Sequence, residues 1–377
     1  MDYVLIPDKF KGSLTAQEVI DAISRGIRKA DPEAQLYSAL VSDGGDGFIE
    51  SIARYGQYER IVCDSCDPLG KKIKASYLYQ EKTKSAYIEM AKTAGLVLLR
   101  ESERNPMFTS TYGTGLQMRH AMEKGARQLF IGLGGSATND AGIGIAAAMG
   151  YRFHDAEGLP LAPRGQNLSR IAGIEKPKDP TLYANATIYA INDVNNPLYG
   201  PNGAAHVYAV QKGASAEDIL ELDKGLRELD SLLVKKLGVS CAAVPGAGAA
   251  GGTAYGLMSF LGARFLGGTD FVLKVAGVNE ILKENTIDYI ITGEGKIDEQ
   301  TLSGKLIHGV LGLGKAHKIP VLAVCGILDT EKDKLIKGGL SSVIEVGDSS
   351  RPLQYNMENA AALVEQSIYN FFQKKSG

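Results

Sequence analysis

Residues 2–30 read DYVLIPDKFKGSLTAQEVIDAISRGIRKA, and the order of textures in this stretch decides the fold class. A short apolar run, VLI (4–6), breaks at Pro7 into a loop carrying Asp8, Lys9, Lys11, Gly12 and Ser13. Thr15 and Glu18 then form a capping box, and Val19, Ile20, Ile23 and Ile27 recur at helical spacing down to about Ala30. Strand, polar loop and amphipathic helix in that order begin a βα unit. The same rhythm returns at SALV (38–41), QLFIG (128–132), DYIIT (288–292) and PVLAVCG (320–326), which indicates a mainly parallel sheet. Helices are expected over 114–124, 137–149, 299–317 and 357–373, the last with Leu363, Val364, Ile368 and Phe371 facing inward.

Two stretches depart from this rhythm. In 73–90, alternating Ile73, Ala75, Tyr77 and Tyr79, a QEKTK turn, and alternating Ala86, Ile88 and Met90 describe a hairpin. The stretch 153–276 is richer in Pro, Asn and Gly and lacks a regular βα rhythm. The expected architecture is an α/β chain with a Rossmann-like, doubly wound parallel-sheet domain from 1–62, 107–152 and 277–377. A second, mixed α/β domain is expected to be inserted from 63–106 and 153–276, with a cleft between the two.

Composition excludes several function classes. With 41 Lys and Arg against 43 Asp and Glu, the formal net charge of -2 gathers neither nucleic acid nor an anionic membrane, so any anion must be held locally. Four cysteines among 377 residues are too few for a disulfide framework, and the first residues lack the basic head and long apolar stretch of a signal peptide. A reducing, cytoplasmic setting is expected. The uncharged stretch 237–263 is long enough to raise a membrane span, but its PGAGAAGG centre is too weakly apolar for lipid and reads as a buried loop and helix. Glycine, 45 residues of 377, is well above the usual share of about 7% and comes in clusters.

Those clusters sit where strands end, and in an open parallel sheet ligands bind beyond the carboxyl ends of strands. The loops read PDKFKGS (7–13), SDGGDG (42–47), GLGGSATND (132–140), NDVNNPL (192–198) and TGEGKID (292–298). A single acidic loop would be an ordinary solvated turn; five in equivalent places are not. In GLGGSATND, Gly134 and Gly135 let backbone approach a ligand, Ser136 and Thr138 bring hydroxyls, and a helix opening near Ala137 would aim N–H groups at a phosphate. Asp43, Asp46, Asp140, Asp193, Glu294 and Asp298 would repel that phosphate unless a divalent ion lay between them, which points to Mg²⁺ and a nucleotide. Lys11 suits a phosphoryl oxygen or a substrate carboxylate.

The same residues admit competing readings. GLGGSA also fits G-x-G-x-x-A, with Asp155 at the separation of a ribose-binding acid, which would make an NAD-dependent dehydrogenase; Gly246, Gly248 and Gly251 match the pattern again and show how cheaply it arises here. No Gly-Lys pair is followed by Ser or Thr, so there is no Walker P-loop. Cys63 and Cys66 form a lone C-x-x-C, the five histidines are scattered, and Ser136 lacks the second glycine of a nucleophile elbow.

PDKFKGSLTAQEV, SDGGDG, IEMAKTAGL, RNPMFTSTYGTG, GLGGSATNDAG, DVNNPLYGPNGA, VQKGA, PGAGAAGG, FLGA and ITGEGKIDEQTLSGK together resemble, in order and spacing, the bacterial glycerate kinase family that is unrelated to the plant enzyme. The match runs from about Val4 to the last helix. The resemblance implies phosphorylation of D-glycerate to 2-phosphoglycerate by ATP with Mg²⁺. The positions that match the family's motifs include Asp8, Lys11, Asp43, Arg104, Gly134, Gly135, Ser136, Asn139, Asp193 and Glu294. Phosphoryl transfer needs a phosphate cradle, assigned to Gly134, Gly135, Ser136 and Asn139, and a metal site, assigned to Asp43 and Asp46. It also needs a base, assigned to Asp193 with Glu294 in reserve, and contacts to the acid, assigned to Lys11, Asp8 and Arg104. Three positions depart from the family's usual residues: Lys9 for Ser, Asp46 for Glu and Phe48 for Thr. A regulator that binds nucleotide or sugar acid on the same fold without turnover is the reading from another class.

Overall fold

A computed structural model describes residues 1–41, 45, 47–298 and 305–376. Among them the strands are β1 (Asp2–Pro7), β2 (Gln35–Ser38), β3 (Glu59–Cys66), β4 (Lys72–Gln80), β5 (Ser85–Glu89), β6 (Gln128–Gly132), β7 (Arg152–His154), β8 (Gly173–Glu175), β9 (Thr187–Ile191), β10 (Arg264–Leu266), β11 (Tyr289–Asp298), β12 (Val321–Asp329) and β13 (Ser342–Glu345). The chain divides into two units, Met1–Val41 with Thr269–Gly377, and Ser42–Gly268.

The first unit is a five-stranded sheet, β13-β12-β11-β1-β2, with every neighbouring pair parallel. Its strands are apolar on both faces, as a parallel sheet covered on both sides requires. Tyr3, Leu5, Ile291, Leu322 and Val324 point to one core with Val19, Ile23, Val364 and Ile368. Val4, Ile6, Ile290, Ala323 and Cys325 point to the other, with Leu282, Ile307, Val310 and Leu335. The Thr15–Glu18 capping box opens the helix Ala16–Ala30 as expected. That helix packs on the closing helix Ala360–Ser376 so closely that a Cβ on Gly26 would lie 2.5 Å from the carbonyl of Glu365. Phe372 rather than Phe371 is the fully buried aromatic there. β2 lies upstream of the SALV run, and Ala39 N still bonds Leu5 O at 2.9 Å.

The second unit holds a mixed six-stranded sheet, β10-β9-β6-β5-β4-β3, and a small β7-β8 pair. The hairpin is present as antiparallel β4 and β5, while β5, β6, β9 and β10 run parallel. This division differs from the expected boundaries. Residues 42–62 and 107–152 belong with the second unit because QLFIG, as β6, pairs with β5 on one side and β9 on the other. The insertion is therefore one continuous segment. No helix among the described residues is long and apolar enough to cross a membrane, and the weakly apolar stretch is a buried loop, left-handed at 250–252, that leads into a helix ending at Leu261.

Candidate active site

In the first unit the strand order reverses at β1, because the chain passes from β1 to β2 on one side and returns to β11 on the other. β1 and β11 lie side by side there, and a strand-order reversal is where an open α/β sheet leaves a crevice. Asp8, Lys11 and Glu294 all line one cavity of about 450 Å³ at this point. Asp8 N donates to Gly293 O at 2.8 Å, and the Asp8 carboxylate accepts from Lys9 N at 2.7 Å.

In the second unit the 133–142 loop leaves β6 beside the loop that leaves β9, since Gly132 pairs with Ile191 and Leu133 N donates to Ile191 O at 3.1 Å. Gly135, at φ 71°, is the exposed tip of the loop, while Ser136, Thr138, Asn139 and Asp140 are buried. Contrary to the expected helix from 137, the helix here is only Ile143–Ala148. Ala141 (φ 52°) and Gly142 (φ 69°) hold the loop left-handed ahead of it. Asp140 stabilises this path: its carboxylate accepts from Thr111 N (2.8 Å), Thr111 Oγ1 (2.9 Å), Gly142 N (3.1 Å) and Gly144 N (3.2 Å). Asp140 is thus a loop anchor, its Oδ2 taking three donors and its Oδ1 the fourth. Burial pushes its carboxyl up from the ordinary value, against the pull of those donors. The helix opening that a dinucleotide fingerprint needs is also missing, which removes the basis of the dehydrogenase reading.

The glycine run 246–252 is packing, not a second cradle. A Cβ on Gly251 would lie 2.1 Å from Thr138 O, and one on Gly248 would lie 2.3 Å from Pro197 O. Ala250, Gly251 and Gly252 are all left-handed, with φ of 53°, 64° and 81°. Gly251→Ala is therefore expected to cost about 3 kcal/mol, from overpacking and the left-handed backbone together, read as a lowered unfolding midpoint.

The loop closes over a lysine that the candidate residues did not include. Lys212, only 2% exposed, donates from Nζ to Ser136 Oγ at 2.9 Å and to Thr138 O at 2.7 Å. It ends a short 3₁₀ turn, Val210–Lys212; Gly213 follows at φ 90°, where a Cβ would meet Arg104 O at 2.2 Å. Arg104 is brought to the same place, with its Nε buried and unpartnered among the described residues. Asn139 is fully buried, and neither its Nδ2 nor its Oδ1 finds a partner there, nor does Thr138 Oγ1. Buried polar atoms without partners are costly, and these lie in consecutive residues beside a buried cation. Burial pushes the Lys212 ammonium down to about 7, with the Asp140 charge pulling partly the other way. An anion bound against Lys212 should restore its proton. Calorimetry of ADP binding at pH 8 in two buffers of different ionisation heat is expected to show proton uptake in the native chain and none in Lys212→Met; equal uptake in both would assign the proton elsewhere.

Asp193 stands at the end of β9, and its Oδ1 accepts from Gly268 N at 2.9 Å. Asp43 and Asp46 lie outside the described residues. Glu89, which ends β5 and is 2% exposed, accepts from Ile49 N at 3.2 Å just beyond that loop, and it too was not among the candidates. Cys63 and Cys66 share a strand three residues apart and burial raises both thiols, so the C-x-x-C holds no reactive pair.

The comparisons with known proteins agree with one another. The profile described as the Glycerate kinase family matches residues 3–375. The glycerate kinase of Halalkalibacterium halodurans is 38% identical over 367 residues, covering 97% of this chain and 96% of its own. The glycerate 2-kinase of Escherichia coli K12 is 39% identical over 347 residues, covering 92% and 90%. A crystal structure assigned to a glycerate kinase 2 of Salmonella typhimurium LT2 superposes with a TM-score of 0.83 at 34% identity, covering 100% of this chain and 98% of that one. Full-length likeness at this level, on a site where a buried lysine meets the unpartnered amide of Asn139, shows that the chain belongs to the glycerate kinase family and is a kinase.

Proposed function

We propose that the chain transfers the γ-phosphoryl group of ATP, with Mg²⁺, to the C2 hydroxyl of D-glycerate in the cytoplasm, giving 2-phosphoglycerate. One observation carries the reading: the buried ammonium of Lys212 beside the unpartnered amide of Asn139. Phosphoryl transfer asks mainly for positioning and charge neutralisation, and fixed donors in a dry site act most strongly on developing charge. Gly134, Gly135, Ser136 and Asn139, with Lys212, are the proposed holders of phosphoryl oxygens, and Lys11 supplies a further point charge. Arg104 and Asp8 are the proposed contacts to the acid. Asp193 is the proposed acceptor of the hydroxyl proton, with Glu294 in reserve. Mg²⁺, when bound, neutralises phosphate charge; Asp43 and Asp46 are its proposed carboxylates.

The test is turnover with D-glycerate and MgATP in one assay and D-glycerate with NAD in another. ADP release in the first supports the reading. NADH absorbance in the second, or binding without ADP release, would replace it by the dehydrogenase or the silent regulator.

A further inference from the structure

The cavity of the first unit holds more than Asp8, Lys11 and Glu294: most of its lining lies beyond the residues a three-carbon acid would touch. Its floor is bare backbone. Gly295 within β11, Gly326 within β12 and Gly347 just past β13 stand side by side, with Gly347 N bonded to Gly326 O at 3.1 Å. A Cβ on Gly326 would lie 2.8 Å from Gly295 O, and one on Gly347 would lie 2.3 Å from Gly326 O, so no side chain can stand at these positions. Peptide planes without side chains present a flat surface. The walls are apolar: Phe10, Val346, Met357 and Leu363, with Ile327 and Leu353 at the rim.

Those last two residues are 42% and 58% exposed, an unusual state for large aliphatic side chains that face a cavity. Asn356, the amide on that wall, is spent on the backbone of Asp348, accepting from its N and donating to its O, both at 2.9 Å. It holds the helix Leu353–Glu358 in place rather than reading a ligand. Three lysines also line the cavity, Lys9, Lys11 and Lys296, the last paired to Asp329 at 2.7 Å, together with the carboxylates Asp8 and Glu294.

A flat floor and apolar walls suit a planar heterocycle, and Lys9 and Lys11 in the same lining suit a polyanionic tail attached to it. A volume of about 450 Å³ lies within the range of pockets for such molecules. We infer that this cavity takes the adenine nucleoside of the phosphoryl donor, with the base lying on Gly326 and Gly347 and its phosphates leaving past Lys9 and Lys11. The inference rests on the reading of ATP as donor and adds where the nucleoside sits.

Adenosine, which has no phosphates, is the discriminating probe. The full chain is titrated with adenosine and with ADP, without any acid present, alongside the double variant Ile327→Ser/Leu353→Ser, whose sites are exposed enough to keep the fold. Adenosine should bind the native chain in competition with ADP. The double variant should lose at least about tenfold affinity for both, and in turnover should raise KM for ATP by a similar factor while KM for D-glycerate holds. Failure of adenosine to bind where ADP binds, or native ADP affinity in the double variant, would overturn the assignment. Because binding is read without the acid, a chain that binds adenosine here but does not phosphorylate D-glycerate refutes only the proposed acceptor; one that turns over D-glycerate while the variant keeps its ADP affinity refutes only the cavity.

Discussion

Lys212→Met is expected to lower kcat by about 10³-fold while the protein stays folded. The magnitude is that of removing one fixed donor from a site where transition-state charge develops, at the upper end because this donor is a buried cation. Methionine is close in length and apolar, so it fills the space without leaving a buried charge unpaired, and replacing buried charge by an apolar isostere is often neutral or stabilising. The pH dependence separates the two roles. With the folded-state value near 7 and the unfolded value near 10.5, the unfolded chain holds a proton the native one has lost between those limits. The native protein should therefore gain stability relative to Lys212→Met as pH rises through that window. Below about 7 it carries the full cost of a buried cation. Urea unfolding of both proteins across pH 6–9 checks the sign; a difference that does not grow with pH would mean that Lys212 keeps its charge in the native state. Near-native turnover in a folded Lys212→Met protein would remove it from the site.

Asp193→Asn is expected to lower kcat at least about 10²-fold with little change in stability, the low end for loss of a general base. The amide oxygen can still accept from Gly268 N, so the loop after β9 keeps that bond while the carboxylate proton acceptor is lost. If kcat and kcat/KM fall together, the missing interaction belongs to the transition state. If turnover persists in Asp193→Asn and collapses in Glu294→Gln, the base is Glu294.

Much of this was legible in the sequence, for local reasons. Thr15, Glu18 and the Val19–Ile27 stripe identify the first helix because capping and amphipathicity act within a few residues. QLFIG was legible as a buried strand but not as a member of the second sheet, because periodicity reports burial and not neighbours. The 133–142 loop misled in the opposite direction. Its small, apolar residues look helical, and only the left-handed Ala141 and Gly142, locked by Asp140, delay the helix to Ile143. Asp140 itself reads as one more acid at a strand end, since nothing local reveals four donors converging on it. Lys212 was hidden for the same reason. Within VQKGA it is one basic residue after a long insertion, and its contacts to Ser136 and Thr138 lie more than seventy positions upstream. The usable signal was that VQKGA is among the motifs that carry the family resemblance, with glycine immediately after the lysine where the backbone of Arg104 leaves no room for a side chain.

The most direct test of the account is the phosphorus and carbon NMR spectrum of the product formed from D-glycerate and MgATP. Phosphorus coupled to C2, appearing in step with ADP and about 10³-fold more slowly with Lys212→Met, is the predicted result. A phosphorylated C3, or no phosphorylated acid at all from the folded chain, would contradict it.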